Sequence, residues 1–435
     1  MLFYTYFKLT CRKIIGAILQ MEARLVLNKY QPKIVGITGS VGKTSTKEAV
    51  AVVLASHFPV RKSEKSYNSE LGVPLTILGS QSAWSDPLGW IEIMTHGLML
   101  LLFRQAYPEW LVLEVGADHP GDIKKIASWI KFDIAILTRL PEIPVHIEFF
   151  KSKEQLIEEK SYLIKTLTPS AWAIFNFDDE VVKALASSTK AQVVSYGFNP
   201  QATVMASNDQ LLYQEDKIDG LTFKIDYQGD SLPVRLHGVL GRHQISAALA
   251  AFAVGASQGL NPVLMSEALG KLVLPAGRLR LIPGIKDSVL LDDTYNASPA
   301  AMEAGLDVLE EIKSDGIKIA VLGDMLELGS YTVETHRAVG SRVAKIAEQL
   351  ILVGLRSKFM AEGAQGAGLA PKNIHHFDDA VAAGKYLQKI IKAGDVVYLK
   401  GSQGMRLEKV VEEVMAEPER REELLCRQEG EWRKR

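Results

Sequence analysis

The amino-acid sequence predicts an α/β protein, with a P-loop-type central domain built on a parallel sheet and a C-terminal Rossmann-like α/β domain. Three observations lead to this fold class. Short β-branched runs alternate with helical patterns from about residue 33, a Gly-rich loop follows the first run, and a second series of runs begins after a Pro- and Gly-rich stretch at 274–284. Such alternation is typical of parallel sheets whose faces are covered by helices.

The chain begins with a stretch of apolar and aromatic residues that basic residues interrupt. Because Lys8, Arg12 and Lys13 break every apolar run, no segment here reaches the roughly 20 apolar residues that a spanning helix needs. We predict an amphipathic helix over residues 1–33. Docking of this helix on the protein is the simpler interpretation, and peripheral contact with a membrane surface is the alternative. A second apolar stretch, at 93–103, predicts a buried or partner-facing helix.

The central domain is predicted over residues 34–273. Five runs read as buried strands: KIVGITGS, LVLEVGA, IAILTRL, AWAIFNF and QVVSYGF. Between 203 and 238 apolar residues alternate with polar turn signals, which predicts a small antiparallel extension. The run ISAALAAFAVGASQGL then predicts a helix that ends at Gly259.

The C-terminal domain is predicted over residues 274–415, because Pro and Gly residues in LPAGRLRLIPG punctuate the chain before new strands begin. Its strands are predicted in SVLLDDTYN, IKIAVLGDM, LILVGL and DVVYLKGS. The densely charged residues 416–435 predict a tail that frays or forms a solvated helix.

Length, charge and cysteine content narrow the classes of function. A chain of 435 residues is long enough for two or three domains. Its 50 basic and 51 acidic residues leave a net charge of -1, so nucleic acid is not expected as a partner. The two cysteines, Cys11 and Cys426, lie at opposite ends of the chain and form neither a disulfide framework nor a metal site. This usage fits a reducing cytoplasm.

The strongest local signal is GITGSVGKTSTKE at 36–48, where a buried strand ends in a Gly-rich loop that opens a helix. Gly39 and Gly42 would let backbone N–H groups curl around phosphate oxygens at the positive end of the helix. Lys43 would place its charge on the β- and γ-phosphates, and Thr44 would ligate Mg²⁺. The strict P-loop spacing is not met, because Ile37 occupies the first Gly position. A structural turn without a ligand is the alternative interpretation.

Ordered segments extend this signal from residue 34 over nearly the whole chain: YNSELGVPLTIL, LEVGADHPGDI, VHIEFFKSKEQLIEEK, NFDDE, GRHQISAALAAFA, AGRL, DDTYNASPAAM, LGDMLELG and GDVVYLKGS. Together with TGSVGKTST they resemble the Mur ligase family and its folylpolyglutamate synthetase relatives. The resemblance implies an ATP-dependent ligase of peptidoglycan synthesis that activates a carboxylate as an acyl phosphate and forms an amide. The implied substrates are a UDP-linked muramoyl-tripeptide and D-alanyl-D-alanine, acted on by a cytoplasmic monomer.

The resemblance also assigns metal ligands. Glu114 and His146 follow predicted parallel strands, at the edge where open sheets place their ligands. Taken alone, a single Glu or His is more often structural. The family positions that they match hold two Mg²⁺ ions, with Thr44 as a further ligand and His146 counted among the catalytic residues beside Lys43 and Lys160.

Lys160 is singled out by periodicity as well as by the resemblance. Ser152 and Gln155 form a predicted capping box, and Lys160 stands four residues from Leu156 and from Ile164 on the apolar face of the helix. A surface lysine that extends its charge to solvent is the alternative. The matching family lysine takes up CO₂ as a carbamate and becomes a ligand of the second Mg²⁺.

By the same analogy, a larger set of residues binds ATP. It comprises Gly39, Ser40, Gly42, Lys43, Thr44, Ser45, His243, Arg278, Asp293, Tyr295 and Asn296. A pair of aspartates such as the one in DDTYNASP is, taken alone, more often a solvated turn. Lys400 is a predicted contact for a carboxylate of the incoming amine substrate.

Two departures from the family pattern keep alternatives open. The adenine-side motif reads His243-Gln244-Ile245-Ser246-Ala247, so both expected amides are altered. Only some 33 residues precede the first strand, where the family carries a domain that binds uridine. The alternatives are therefore a related ligase that acts on another or a lipid-linked acyl acceptor, and a non-catalytic nucleotide-binding paralogue.

Overall fold

The computed structural model of the protein describes residues 2–64, 67–143 and 146–433, with the side chains of these residues from Arg12 onward except those of Glu431 and Arg433. Met1 of the predicted N-terminal helix, the side chain of Cys11 and the last two residues of the predicted tail lie outside this description. Two sheets, one in each half of the chain, organise the molecule.

The first sheet has nine strands in the order β2-β3-β1-β4-β5-β6-β7-β8-β9. Its strands are β1 (Lys33–Thr38), β2 (Val60–Lys62), β3 (Trp110–Glu114), β4 (Ile134–Leu137), β5 (Trp172–Asn176), β6 (Gln192–Gly197), β7 (Val204–Gln214), β8 (Lys217–Tyr227) and β9 (Asp230–His237). Pairing is parallel from β2 through β7 and antiparallel between β7, β8 and β9. The five predicted central strands are confirmed, and the predicted antiparallel extension continues this sheet.

Nine helices accompany the first sheet in the described part of the chain. They are α1 (Leu2–Tyr30), α2 (Lys43–Ala55), α3 (Gly72–Leu78), α4 (Pro87–Leu102), α5 (Asp122–Ala127), α6 (Lys153–Lys165), α7 (Glu180–Leu185), α8 (Arg242–Ser257) and α9 (Pro262–Leu269). One face of the sheet packs on α2 and α8, while α1 and α3 to α6 contribute to a separate cluster on the other face. The strands are apolar on both faces of the sheet, so helices must cover both faces, as expected for a parallel sheet.

The second sheet has six strands in the order β10-β11-β15-β12-β13-β14. Its strands are β10 (Arg280–Pro283), β11 (Val289–Asp292), β12 (Lys318–Gly323), β13 (Gln349–Val353), β14 (Ile374–Phe377) and β15 (Val396–Lys400). Only the β10–β11 pairing among these is antiparallel. The helices are α10 (Pro299–Glu311), α11 (Thr332–Val343), α12 (Lys358–Gly366), α13 (Ala380–Ile390), α14 (Glu408–Val414), α15 (Arg421–Leu424) and α16 (Gly430–Arg433). The predicted α/β unit is confirmed.

The predicted solvated tail is wrong for part of its length. Residues 424–427 are buried, and Leu424 and Leu425 join the apolar cluster of the second sheet. Arg427 forms an ion pair with Glu408 at 2.9 Å in which both side chains are almost fully buried. The pattern of dense charge misled the prediction, because a few apolar residues between the charges are enough to dock the segment.

No helix in the described ranges is long and apolar enough to cross a membrane. The N-terminal helix packs on α3 and α4, so the predicted docking of this helix on the protein is observed. The predicted helix at 93–103 is the second half of α4, and it is buried along one face only.

Candidate functional site

A cleft of about 1110 Å³ lies between the two units. The loop after β1 and the ends of β3 and β5 line one side, and the segments after β11 and β15 line the other. Open α/β sheets bind ligands at this carboxyl edge. The predicted site residues that line the cleft are Ser40, Gly42, Lys43, Thr44, Ser45, Glu114, His146, His243, Arg278, Asp293, Tyr295 and Asn296. Gly39 and Lys160 lie outside this lining and contact each other.

The Gly-rich loop has the backbone that a phosphate cradle requires. Gly39 has a φ of +135° and packs so tightly that a Cβ would lie 2.0 Å from Oγ1 of Thr138. Gly42 has a φ of +87° and immediately precedes α2, so the N–H groups of the first helical turn lie at the cleft. The hydroxyl of Ser40 is buried and has no hydrogen-bond partner among the described residues. An anion in the loop would supply that partner.

Glu114 is a buried acidic group at the cleft with two side-chain partners. Its side chain is buried at the end of β3, where one carboxylate oxygen accepts from the Thr44 hydroxyl at 3.0 Å. The other oxygen accepts from the Asn68 amide at 3.2 Å. The hydroxyl oxygen of Thr44 and the carboxylate oxygens of Glu114 are hard metal ligands of the kind that Mg²⁺ prefers.

Lys43 and Lys160 meet at one acceptor, the carbonyl of Gly39, at 2.9 Å and 3.1 Å. The ammonium of Lys160 is buried on the apolar face of α6, as predicted, and the hydroxyl of Ser152 caps that helix by accepting from the N–H of Gln155. Burial and the nearby charge of Lys43 lower the pKa of Lys160 to about 7. Burial also lowers the pKa of Lys43, against the opposing effect of Glu114.

His146 reaches the cleft from a left-handed backbone, with a φ of +67°. Its Nδ1 lies 2.6 Å from a carboxylate oxygen of Glu327 in the second unit, and its Nε2 lies 3.7 Å from Asp118. The hydrogen bond with His146 lowers the pKa of Glu327. Glu327 also has a positive φ, of +63°, so both members of this pair across the cleft hold a strained conformation.

The second unit presents a compact set of polar groups to the cleft. Arg278 donates to the Thr44 hydroxyl at 3.2 Å and lies over the ring of Tyr295 at 4.1 Å. Asp293 is buried rather than part of a solvated turn, and its carboxylate pairs with Lys400 at 2.6 Å. Burial raises the pKa of Asp293 and lowers that of Lys400.

The pairing of Lys400 corrects its predicted role as a contact for a substrate carboxylate. Its Nζ donates to Asp293 and to the backbone carbonyl of Asn296 at 2.9 Å. The lysine therefore fixes the loop after β11 from inside. Only the fold shows that this charge already has a partner.

The altered adenine-side motif forms a hydrogen-bonded unit of its own. The Gln244 amide lies 2.9 Å from Nε2 of His243 and donates to the Arg278 carbonyl at 3.1 Å. Nδ1 of His243 is buried without a partner in the described part of the chain. Burial lowers the pKa of His243 to about 3, so the ring is neutral.

Three residues that the sequence did not single out complete the site. Asn68 and Glu327 stand in the quoted segments YNSELGVPLTIL and LGDMLELG, so those segments carried a signal. No sequence signal marked Arg427, since it lies in the charged tail. Its guanidinium donates to the carbonyls of Thr294 and Tyr295 and so supports the loop that holds Tyr295.

The residues present fit a nucleotide and Mg²⁺. Buried polar side-chain atoms of Ser40, His243 and Arg278 have no hydrogen-bond partner among the described residues, and a ligand in the cleft would supply one. No group of three His, Cys, Asp or Glu side chains within the described ranges could hold a metal ion by itself. Oxygen atoms from Glu114 and Thr44 would need phosphate oxygens and water beside them, which is the usual way that Mg²⁺ is bound in nucleotide sites.

Comparisons with known proteins agree with this geometry. The family model of the Mur ligase middle domain matches residues 37–255, and that of the Mur ligase, glutamate ligase domain matches residues 277–403. These matches fall within the predicted domains 34–273 and 274–415, whose boundaries stay a prediction.

A UDP-N-acetylmuramoyl-tripeptide--D-alanyl-D-alanine ligase of Bacillus subtilis (strain 168) is 28% identical over 402 residues, covering 92% of this chain and 79% of that protein. The protein of the same name from Mycobacterium tuberculosis (strain ATCC 25618 / H37Rv) is 31% identical over 405 residues, covering 88% and 73%. A crystal structure of MurF ligase from Thermotoga maritima in complex with ADP is 27% identical, with a TM-score of 0.75, and covers 93% of this chain and 84% of that one. The chain belongs to the Mur ligase family.

Proposed function

We propose that the chain is an ATP-dependent peptide ligase of peptidoglycan synthesis that adds D-alanyl-D-alanine to UDP-N-acetylmuramoyl-tripeptide. The observation that carries this proposal is the cleft, in which a phosphate-binding loop that the buried Lys160 contacts at Gly39 faces polar groups of a second unit. The names of the most similar relatives support the substrates. We place the reaction in the cytoplasm, where ATP is available, and propose a monomer because one chain supplies both sides of the cleft.

The proposed reaction has two steps. The substrate carboxylate attacks the γ-phosphorus of ATP, and the bond between the γ-phosphorus and the oxygen of the β-phosphate breaks. ADP is released, and the substrate becomes an acyl phosphate. The amine of D-alanyl-D-alanine then attacks the acyl carbon, loses a proton and expels phosphate. Lys43 and the N–H groups after Gly42 bind the charge that moves in the first step. Mg²⁺, when bound at Glu114 and Thr44, would neutralise phosphate charge.

Closure of the two units would protect the acyl phosphate from water. Arg278 and Thr44 touch across the cleft at 3.2 Å, and Glu327 and His146 do so at 2.6 Å. These contacts hold the units together around the reacting groups, and a closed site excludes the water that hydrolyses an activated acyl group. Tyr295 and Asn296 would contact the adenosine from the second unit.

Lys160 is proposed to carry a carbamate. A lysine with a pKa of about 7 is neutral in half of the molecules at neutral pH, and only the neutral amine attacks CO₂. The new N–C bond gives an anionic carbamate and releases one proton. Burial supports the modification, because an ammonium in an apolar site is costly and the carbamate can instead pair with Lys43 or a cation.

An ADP-release assay over a grid of acids and amines tests the proposed function. We expect Mg²⁺-dependent ADP release with UDP-N-acetylmuramoyl-tripeptide and D-alanyl-D-alanine together, and none when either is left out. ADP release that occurs only with a lipid-linked or another muramoyl peptide would overturn the proposed acyl substrate. No release with any pair, in a folded protein that binds ATP, would identify a non-catalytic nucleotide-binding protein.

A further inference from the structure

The solvent side of α4 is mainly apolar, although Glu92, Thr95 and His96 are exposed on it. Leu88, Ile91, Leu98 and Leu102 follow one another at helical spacing, and Leu88 and Leu102 expose 75% and 64% of their surface. Three large apolar side chains of α1 are exposed as well. We call this area the α1/α4 surface, and it consists of Ile14, Met21, Leu25, Leu88, Ile91, Leu98, Met99, Leu102 and Phe103. Exposed apolar side chains gathered on neighbouring helices mark an interaction site.

The α1/α4 surface is a fixed part of the fold. Lys29 donates to the carbonyls of Leu100, Leu101 and Phe103 at 2.8–2.9 Å, which satisfies the end of α4. Gly97 lets α1 approach closely, because a Cβ there would lie 2.3 Å from a carboxylate oxygen of Glu22. The opposite face of α4 is therefore held on α1, and the exposed stripe does not result from a detached helix.

Charges around the α1/α4 surface are mainly basic. Arg12, Lys13, Arg24 and Arg104 are exposed on or beside it. On the α4 side the exposed acidic residues are Glu92 and the N-cap residue Asp86. The whole chain has a net charge of -1, so this basic character is local. An apolar face edged by basic side chains is the pattern of helices that lie in the interface of an anionic bilayer.

A second copy of the chain is a poorer occupant. A two-fold interface would use the same patch on both subunits, so both sides of the contact would carry an excess of basic side chains. A bilayer instead offers acyl chains to the leucines and phosphate groups to the arginines. Because no described helix can span a membrane, contact would be confined to the interface.

We propose that the α1/α4 surface binds the surface of an anionic lipid bilayer. This role goes beyond the ligase reaction and needs neither ATP nor substrate. The cleft lies beside the docking surface. Trp84, in the loop before α4, contacts Trp432 with ring centroids 6.3 Å apart, and Trp432 lines the cleft. A protein held on the bilayer by α4 would therefore present one end of its cleft near the lipid headgroups.

Vesicle flotation of the purified full-length chain, without nucleotide, tests the proposal. We expect the protein to float with phosphatidylcholine vesicles that contain phosphatidylglycerol, and far less with phosphatidylcholine alone. The double variant Leu98→Glu/Leu102→Glu should weaken binding by at least about tenfold. Arg24→Gln/Arg104→Gln should weaken it by about fivefold for each charge removed, and added salt should have the same effect.

The matched control is Leu355→Glu, which places a new acid on a leucine that is 80% exposed in the second unit. This variant should float as the wild type does, and circular dichroism should show that all variants are folded. Absence of the wild-type chain from floated anionic vesicles would overturn the proposal. The proposal would also be overturned if Leu98→Glu/Leu102→Glu floated as well as the wild type. Self-association of the wild type in sedimentation equilibrium that Leu98→Glu/Leu102→Glu abolishes would overturn it too, since a second copy would then cover the α1/α4 surface.

Discussion

The buried Lys160 makes the stability of the unmodified protein depend on pH in a defined direction. Burial and Lys43 lower the pKa of its ammonium from 10.5 to about 7 in the folded chain. Between pH 7 and 10.5 the unfolded chain therefore binds one proton that the folded chain has released. Stability rises with pH wherever the unfolded state binds more protons. The Lys160 ammonium therefore lowers the free energy of unfolding most at and below pH 7, and this destabilisation fades toward pH 10.5.

The size of the effect follows from the same pKa values. One pH unit in this window is worth up to about 1.4 kcal/mol, and from pH 7 to pH 9 the contribution changes by about 2 kcal/mol. Lys160→Met keeps the length of the side chain and removes the charge. In CO₂-free buffer, the free energy of unfolding of the wild type should therefore gain about 2 kcal/mol relative to that of Lys160→Met over this range.

Urea unfolding of both proteins at several pH values measures this difference. Lys165→Met, which removes an exposed lysine from the same helix, is the control and should follow the wild type. Parallel pH profiles for the wild type and Lys160→Met would show that the Lys160 ammonium is not destabilised by its site. Adding ¹³C-bicarbonate should then give a carbamate resonance in the wild type that is absent from Lys160→Met.

Three further predictions test the cleft and the tail. Lys43→Ala should abolish ADP formation in a folded protein, because the γ-phosphate loses its positioned charge, and near-normal turnover would remove the phosphate-loop hypothesis. Glu114→Ala and His146→Ala should sharply reduce Mg²⁺-dependent activity, and full activity in excess chelator would contradict a metal requirement. Arg427→Met should destabilise the second unit by about 3 to 5 kcal/mol in urea, since it leaves the Glu408 carboxylate buried with one partner fewer; unchanged stability would mean that the tail detaches in solution.

The fold was predictable because its signals are local. A β-branched run of five or six residues followed by an amphipathic segment identifies a strand and its covering helix, and each predicted strand from KIVGIT to VVYLK is present. The short strands β2, β10 and β14 were not predicted, since three or four residues of mixed polarity carry too little periodicity. The buried tail was missed for a different reason. Its docking depends on partners such as Glu408 and Thr294 that only the folded chain brings near.

Site residues were predictable where a motif ties chemistry to position along the chain. Ser40 and Glu114 lie at or just after strand ends, and Thr44 lies in the first turn of the helix that follows β1. Parallel strands bring these ends to one edge. Pairings between side chains from separate loops could not be read from the sequence. The partner of His146 is Glu327, and the partner of Lys400 is Asp293, and both contacts depend on how loops from separate strands meet.

The two lysines at the phosphate loop couple modification to nucleotide binding. Lys43 and Lys160 both donate to the carbonyl of Gly39, and two ammonium groups so close repel each other in a buried site. The repulsion lowers the pKa of Lys160 beyond the effect of burial and so favours the neutral amine that reacts with CO₂. Once Lys160 becomes an anion, the same proximity turns from repulsion into attraction, and Lys43 gains a partner that holds its charge at the loop. A site arranged in this way would bind phosphate best after carbamate formation, so CO₂ depletion should weaken ATP affinity in the wild type but not in Lys160→Met.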